Sequence, residues 1–421
     1  MVREVGVEVH VAALEQQIKA ARSAKSEHRS PEPMIAARPN QKPDVVVASN
    51  PGQMNEHLPA WESLAESSIE PNVFYEPWML MPAVNHLAGD SELHFVFVYL
   101  PDRQRPNGPA LLCGMFPLER TSRAFGAIGV LSLWKHVHCF LCTPLIRRGY
   151  GKECLDAFFD WLATEPVGAS FMEFKSIGGD GAFHRLLVDR FFEHGSISFE
   201  SECHSRALFR PDKDADVFLR SALAASTRKE LRRKLNRLAE EGRIEWSQLG
   251  AKSDLSAWIN EFLQLESGGW KGRAGDAIEC DHGERAFFTE MCEAAFQRGA
   301  LRVMSLNMNG RSIAQRWYFT AGEGAFAFKT AFDEGYARRS PGVLLQVEQV
   351  RQLHNDAEIA WMDSCSAADS HLNRIWKDRR AIESIVVGTG GRKGDLLVAM
   401  MPLVRWLARK ARFRRVGSRA K

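Results

Sequence analysis

The expected architecture is an α/β chain of mixed (α+β) sheets, folded as two tandem domains on one plan, each a central sheet flanked by helices. Three observations lead there. The 421 residues suffice for two domains with full cores. From Leu301 onward, apolar residues recur with period two through three stretches, then with a helical period, then again with period two. Finally, a motif recurs: Arg147-Arg148-Gly149-Tyr150-Gly151 and Arg338-Arg339-Ser340-Pro341-Gly342 each lie between a strand pattern and a helix pattern. The next strand begins at a similar distance in each, near Ala169 and near Ile359, as an internal duplication would give.

Taken in order, residues 1–45 show a short helical pattern (Leu14, Ile18, Ala21) and then several prolines, so a disordered lead-in is expected. The first domain, 46–209, shows helical patterns at 58–64 and 78–87 and strands at 94–100, 110–118, 127–133 and 136–146. A helix with Leu155, Phe158, Phe159 and Leu162 and a strand at 170–177 follow. Residues 210–250 are expected to be a basic helical linker. Thr227 and Glu230 fit a capping box, Leu231, Leu235 and Leu238 form a narrow stripe, and Gly242 stops the helix. Its other faces carry Arg228, Lys229, Arg232, Arg233, Lys234 and Arg237, which read as a solvated surface, and nucleic acid is not the expected partner.

The second domain, 251–394, opens with helices at 255–265 and 284–298. Strands at 301–306 and 313–320 flank an Asn309-Gly310 hairpin turn, and a third strand starts at Ala325. Ser340 is placed to cap the next helix, with Pro341 in its first turn, and a strand at 359–362 ends on Asp363. Unpaired amides at that helix start, beside Arg338 and Arg339, make a place suited to phosphate.

Composition narrows the class. Forty-five per cent hydrophobic and 25% charged residues describe a soluble globular chain. No secretory signal is visible, and the longest apolar run, 396–404, contains Pro402 and is too short to cross a bilayer. Eight scattered cysteines suit reduced thiols, so the cytoplasm is the expected location. The net charge of +3 comes from one end: residues 405–421 hold eight Lys or Arg and no acid, leaving the remainder at −5. A basic amphipathic tail at 395–421 is expected, able to touch an anionic membrane peripherally at its inner face.

The order helix, helix, three antiparallel strands, helix, strand, with a phosphate-ready loop after the third strand, resembles the GNAT acyl-CoA N-acyltransferases. In that superfamily the loop carries Arg/Gln-x-x-Gly-x-Gly/Ala. Here Arg339 and Gly342 match, while Leu344 stands where the second small residue is usual. Trp270-Lys271-Gly272, Asn309-Gly310 with Ile313-Ala314, Ala331-Phe332-Asp333-Glu334 and Ser340-Pro341-Gly342 together resemble the CelD/FemAB-like branch, built from two GNAT-like halves. The resemblance spans about residues 55–390 and is strongest from Arg228 onward.

It implies an acetyl-CoA or other acyl-CoA co-substrate on Arg338, Arg339, Ser340, Pro341 and Gly342, and a small-molecule or sugar-linked amine acceptor, in envelope or exopolysaccharide synthesis. Acyl transfer needs a base, oxyanion donors and a proton for the leaving thiolate. Strand amides of 328–332 would be the donors, Asp363 or Asp333 (beside Glu334) the base, and Lys377 a stabiliser of developing charge. Trp270 and Lys271, in a glycine-rich loop, would contact substrate. No metal is expected: on an alternating strand, His136, His138, Cys139 and Cys142 point to both faces. Asp369-Ser370-His371 is too local to converge as a triad. The alternatives are a Fem-type aminoacyl-tRNA-dependent transferase and a non-catalytic membrane-associated component of a polysaccharide assembly system.

Overall fold

The computed structural model of the protein describes residues 42–123, 128–164, 168–211, 214–389 and 391–417. The expected lead-in lies outside the described residues up to 41, and regular structure begins inside its expected range, with β1 (Asp44–Ala48). The first half continues through α1 (Pro51–Asn55), α2 (Leu58–Glu66), α3 (Pro77–Leu87), β2 (Glu92–Leu100), β3 (Leu111–Arg123), β4 (Ile128–Leu133) and β5 (Leu145–Ile146). It ends with α4 (Gly151–Thr164), β6 (Ala169–Gly178), α5 (Ala182–Glu193) and β7 (Ser198–Phe209). The second half begins with α6 (Ala215–Ala222), α7 (Ala225–Glu241), β8 (Ile244–Gln248), α8 (Leu255–Ser267), α9 (Trp270–Ala274) and α10 (His282–Gln297). Then come β9 (Leu301–Met308), β10 (Arg311–Ala321), β11 (Gly324–Phe332), α11 (Pro341–Asn355), β12 (Trp361–Asp363), β13 (Asp378–Gly388) and α12 (Arg392–Gly417).

These strands form one mixed sheet in the order β1-β2-β3-β4-β6-β13-β7-β12-β11-β10-β9-β8, with β5 paired to β3. Two neighbours are parallel, β4 with β6 and β11 with β12, and each pair is joined by a helical crossover, α4 or α11. Beyond each parallel pair lies an antiparallel strand borrowed from the other half: β13 beside β6, and β7 beside β12. The two borrowed strands pair with each other at the centre. The duplication expected from the recurring motif is thus present in the topology, with the last strand of each half exchanged.

That exchange overturns the linear partition. Residues 210–250 are not a linker: β8 extends the sheet beside β9, and Leu238 of α7 is buried with Leu306, Met308 and Ile313. The capping box at Thr227 and Glu230 does not form, because Ala224 stands at the N-cap and Thr227 lies inside the helix. Nor does the expected tail stand free of the sheet over its described residues, 395–417. Helix α12 starts at Arg392, runs through Pro402 and buries Val398 against Val130, Phe171 and Val386. The expected strand at 136–146 is mostly irregular; Asn72 holds it by donating to the carbonyls of Leu141 (3.1 Å) and Thr143 (2.8 Å).

The large core runs through both halves, from Phe95, Phe116 and Phe174 to Phe288, Trp317 and Phe326, and in the second half it occupies one face of the sheet. On the other face of the second half, α6, α7 and α11 cover β9, β10 and β11 with Leu219, Leu345, Val350 and Leu353. Asn309 and Gly310 make the β9–β10 turn in left-handed backbone (φ 52° and 79°), as their sequence suggests.

Candidate active site

The site begins with a defect in the sheet. Strand β12 accompanies β11 only from Gly324 to Phe326. Just beyond, the β10–β11 register pairs Tyr318 with Ala327 and Trp317 with Lys329, so it skips Phe328. A bulge of this kind redirects backbone groups out of the ladder. Here it falls where the parallel neighbour has stopped, opening the carboxyl end of β11 on that side.

The chain then enters the predicted anion loop. A short 3-10 turn covers Glu334–Arg339, and Asp333 caps it, accepting from the Gly335 amide at 2.9 Å. Ser340 adopts left-handed backbone (φ 54°, ψ 52°), and its hydroxyl does not cap α11. Instead it lies 2.8 Å from Lys234 Nζ of α7. Arg339 Nε donates to Glu241, also on α7, at 2.9 Å. Pro341 has no amide hydrogen, while those of Val343 and Leu344 turn back to the Ser340 carbonyl. A Cβ on Gly342 would meet nothing closer than Phe332 Cδ1 at 3.6 Å, and Arg338 is exposed. From the other side Glu334 accepts from the Trp270 amide and from Arg273, both at 2.7 Å, a pairing that lowers its pKa. The basic helix expected to be an inert surface therefore grips the loop.

On the core face, beside the bulge, ionisable groups from both halves meet. His138, in the irregular 134–144 segment, is 2% exposed; its Nε2 lies 2.9 Å from Glu284 Oε2 of α10, and its ring stacks on Phe287. Burial lowers the pKa of His138 and outweighs the Glu284 carboxylate, which works to raise it. Glu284 is itself lowered, first by its bond to His138. Lys329 of β11 is lowered too, by burial and then by Lys271. Lys271 Nζ sits 2.6 Å from the buried Glu266, whose other oxygen accepts from the Ile278 amide at 3.0 Å. The result is a neutral imidazole with a carboxylate behind it, and a lysine whose charge is disfavoured.

The opposite face of β10 and β11 carries buried polar groups short of partners. Arg316 is 4% exposed; it donates to Thr330 Oγ1 at 3.3 Å, its Nε makes no hydrogen bond, and burial pulls its pKa down to about 10. Its guanidinium lies 5.9 Å from the Trp376 ring, and Trp376 Nε1 is also unpaired. On the buried side of α11, the side-chain amides of Gln346 and Gln349 have no hydrogen-bond partner among the described residues. Each such group costs about 1–3 kcal/mol if left unsatisfied.

Several expected roles change. Asp363 cannot serve as a base exchanging protons with a substrate. It is fully buried, Arg206 Nε and Nη2 hold it at 2.7 Å each, Arg380 Nη1 holds it at 3.0 Å, and it accepts from the Cys365 amide. Burial alone would raise its pKa, but the two arginines prevail and hold it below the usual carboxylate range. Because Arg206 lies on β7 and Arg380 on β13, Asp363 is a keystone of the strand exchange. Lys377 is exposed on a turn that Arg379 staples through the carbonyls of Trp376, Lys377, Asp378 and Asn373. Asp333 caps the 3-10 turn, Trp270 is 59% exposed at the start of α9, and Lys271 pairs with Glu266. Cys139 and Cys142 stand 3.7 Å apart, buried, while His138 faces Glu284, so the four residues do not converge as ligands.

Residues 225–371 match the family described as Acetyltransferase (GNAT) domain, a match that opens at α7. Among solved structures the chain is similar to FemX, with a TM-score of 0.51 and 9% identity over 82% of this chain and 96% of that one. It is also similar to a conserved protein of unknown function from Bacteroides thetaiotaomicron (TM-score 0.48, 10% identity, 79% and 97% covered). A tandem GNAT protein from the clavulanic acid biosynthesis pathway follows (0.42, 12%, 83% and 99%). No curated protein sequence matches the chain. Residues 225–371 thus match a GNAT domain, and the chain as a whole shares the fold of FemX.

Proposed function

We propose that the protein is an N-acyltransferase that moves an acyl group from acyl-CoA to an amine. The observation that carries this reading is the coincidence of the β11 bulge, the end of its pairing with β12 and the basic loop at 338–342. Coenzyme phosphates would lie against Gly342, Arg338 and Lys234. The amides of the coenzyme arm would meet the unpaired Gln346, Gln349 and Trp376 groups. The thioester carbonyl would face the bulge amides near Phe328, which would hold the oxyanion as the amine attacks. His138, kept neutral by burial and oriented by Glu284, would take the proton from the amine. The carbon–sulfur bond then breaks, and the proton passes to the coenzyme thiolate.

A second reading draws on α7. Its basic residues beside the same loop would equally suit the phosphates of an aminoacyl-tRNA. One experiment separates the two: release of free thiol from acetyl-CoA or a longer acyl-CoA in the presence of amino sugars and amino acids. Thiol release that requires the amine supports the first reading. Transfer from aminoacyl-tRNA, with no response to any acyl-CoA, replaces it with the second. In either case an acceptor carried by an envelope or exopolysaccharide precursor remains part of the proposal.

A further inference from the structure

Helix α12 is apolar on its outer side as well as on the side it buries. Its inner side sits hard against the sheet: a Cβ on Gly394 would come within 2.1 Å of the Ser170 carbonyl, and Val398 is buried with Val130, Phe171 and Val386. Met401 packs on the same cluster, and Arg405 lies 5.8 Å over the Phe199 ring while reaching the Glu200 carbonyl at 3.4 Å. At about 100° per residue, positions 394, 398, 401 and 405 form one side, and positions 396, 400, 403 and 404 the other. The outer side of a docked helix is ordinarily polar. Here it is aliphatic: Leu396, Met400, Leu403 and Val404 are 64%, 43%, 47% and 60% exposed. Directly after this stripe, residues 405–421 bring eight Lys or Arg and no acid.

We propose that the outward face of α12 seats the protein on an anionic bilayer. Leu396, Met400, Leu403 and Val404 would enter the headgroup boundary, and the following basic run would hold anionic headgroups. Charge selects this occupant over a second copy of the chain, because a second copy would bring an identical positive run against the first. Among the described residues no helix is long and apolar enough to cross a membrane, so the contact is parallel to the surface. Because α12 is fixed to β6, β7 and β13, the membrane would meet a rigid ridge that sets the orientation of the whole sheet.

The test is co-sedimentation of the full chain with vesicles of equal parts phosphatidylcholine and phosphatidylglycerol, and with phosphatidylcholine alone. Two variants accompany it: Leu403→Glu with Val404→Glu, and Arg409, Arg412, Arg414 and Arg415 all to Gln. The wild type should bind the anionic vesicles, and phosphatidylcholine at least about tenfold more weakly. Each variant should lose at least about tenfold on the anionic vesicles. Both variants should keep the unfolding midpoint and acyl-donor binding of the wild type. Anionic binding by the Leu403/Val404 variant equal to wild type overturns the proposal. So does a wild type that ignores vesicles but self-associates with rising concentration, with Leu403→Glu abolishing that association; the stripe would then be a contact between copies.

Discussion

The two Arg-Arg motifs occupy equivalent places in the duplicated fold, and their surroundings have diverged. In the first half Arg147 is consumed by the framework: it donates to the Leu112 carbonyl at 2.8 Å and to the Ser67 and Ser63 hydroxyls. The Gly149 carbonyl is taken by Arg103, and a Cβ on Gly151 would meet Leu186 of α5 at 2.4 Å, so α5 covers the start of α4. In the second half Arg338 is exposed, Gly342 has open space around its missing Cβ, and Lys234 stands at Ser340. The strands differ likewise. β4 pairs with β6 through Ser132, whereas β11 loses β12 after Phe326, just before its bulge. Duplication preserved the crossover, and only the second copy keeps an open strand end with an accessible loop.

The largest effect should come from the group that the first half contributes to the second half's site. His138→Asn removes the proposed base; kcat should fall by about a hundredfold or more with KM for acyl-CoA little changed. The wild-type acid limb should fall below the ordinary histidine value near 6.5, because burial lowers the His138 pKa. An unchanged rate would return the proton transfer to another group.

Next comes the seam that joins the halves. Asp363→Asn leaves Arg206 without its carboxylate and Arg380 with only Glu70, at 3.6 Å, and unfolding free energy should drop by about 3–5 kcal/mol. The sign with pH follows from a folded pKa held below the unfolded one. The stabilisation is present above the ordinary carboxylate range and is lost as pH falls through the depressed value. Denaturant melts of wild type and variant from neutral to acid pH should therefore converge at the acid end.

The sequence disclosed the α11 crossover, the Asn309-Gly310 hairpin and the motif repeat, because each has a local signature. It concealed β7 and β13, whose polar residues look like loop until one sees Arg206 and Arg380 meeting Asp363 across the exchange. Asp363 consequently looked like a base at a strand end. His138 was hidden for the converse reason: its partner Glu284 lies far along the chain, and in sequence it stood beside cysteines that suggested metal chemistry. Local spacing does not reveal long-range pairing. The lysine at 234 carried one usable signal, a basic helix just ahead of a GNAT-like order of elements.

The claim that only the second copy receives the acyl donor is tested most directly by hydrogen exchange of the full chain with and without acyl-CoA, together with Gly342→Glu. Exchange should slow across 328–345 and stay unchanged at 145–155. In the Gly342→Glu variant, whose added side chain has room but brings a negative charge to the phosphates, donor affinity should fall at least about tenfold with the fold intact. Protection at 145–155, or undiminished binding by folded Gly342→Glu protein, would contradict it.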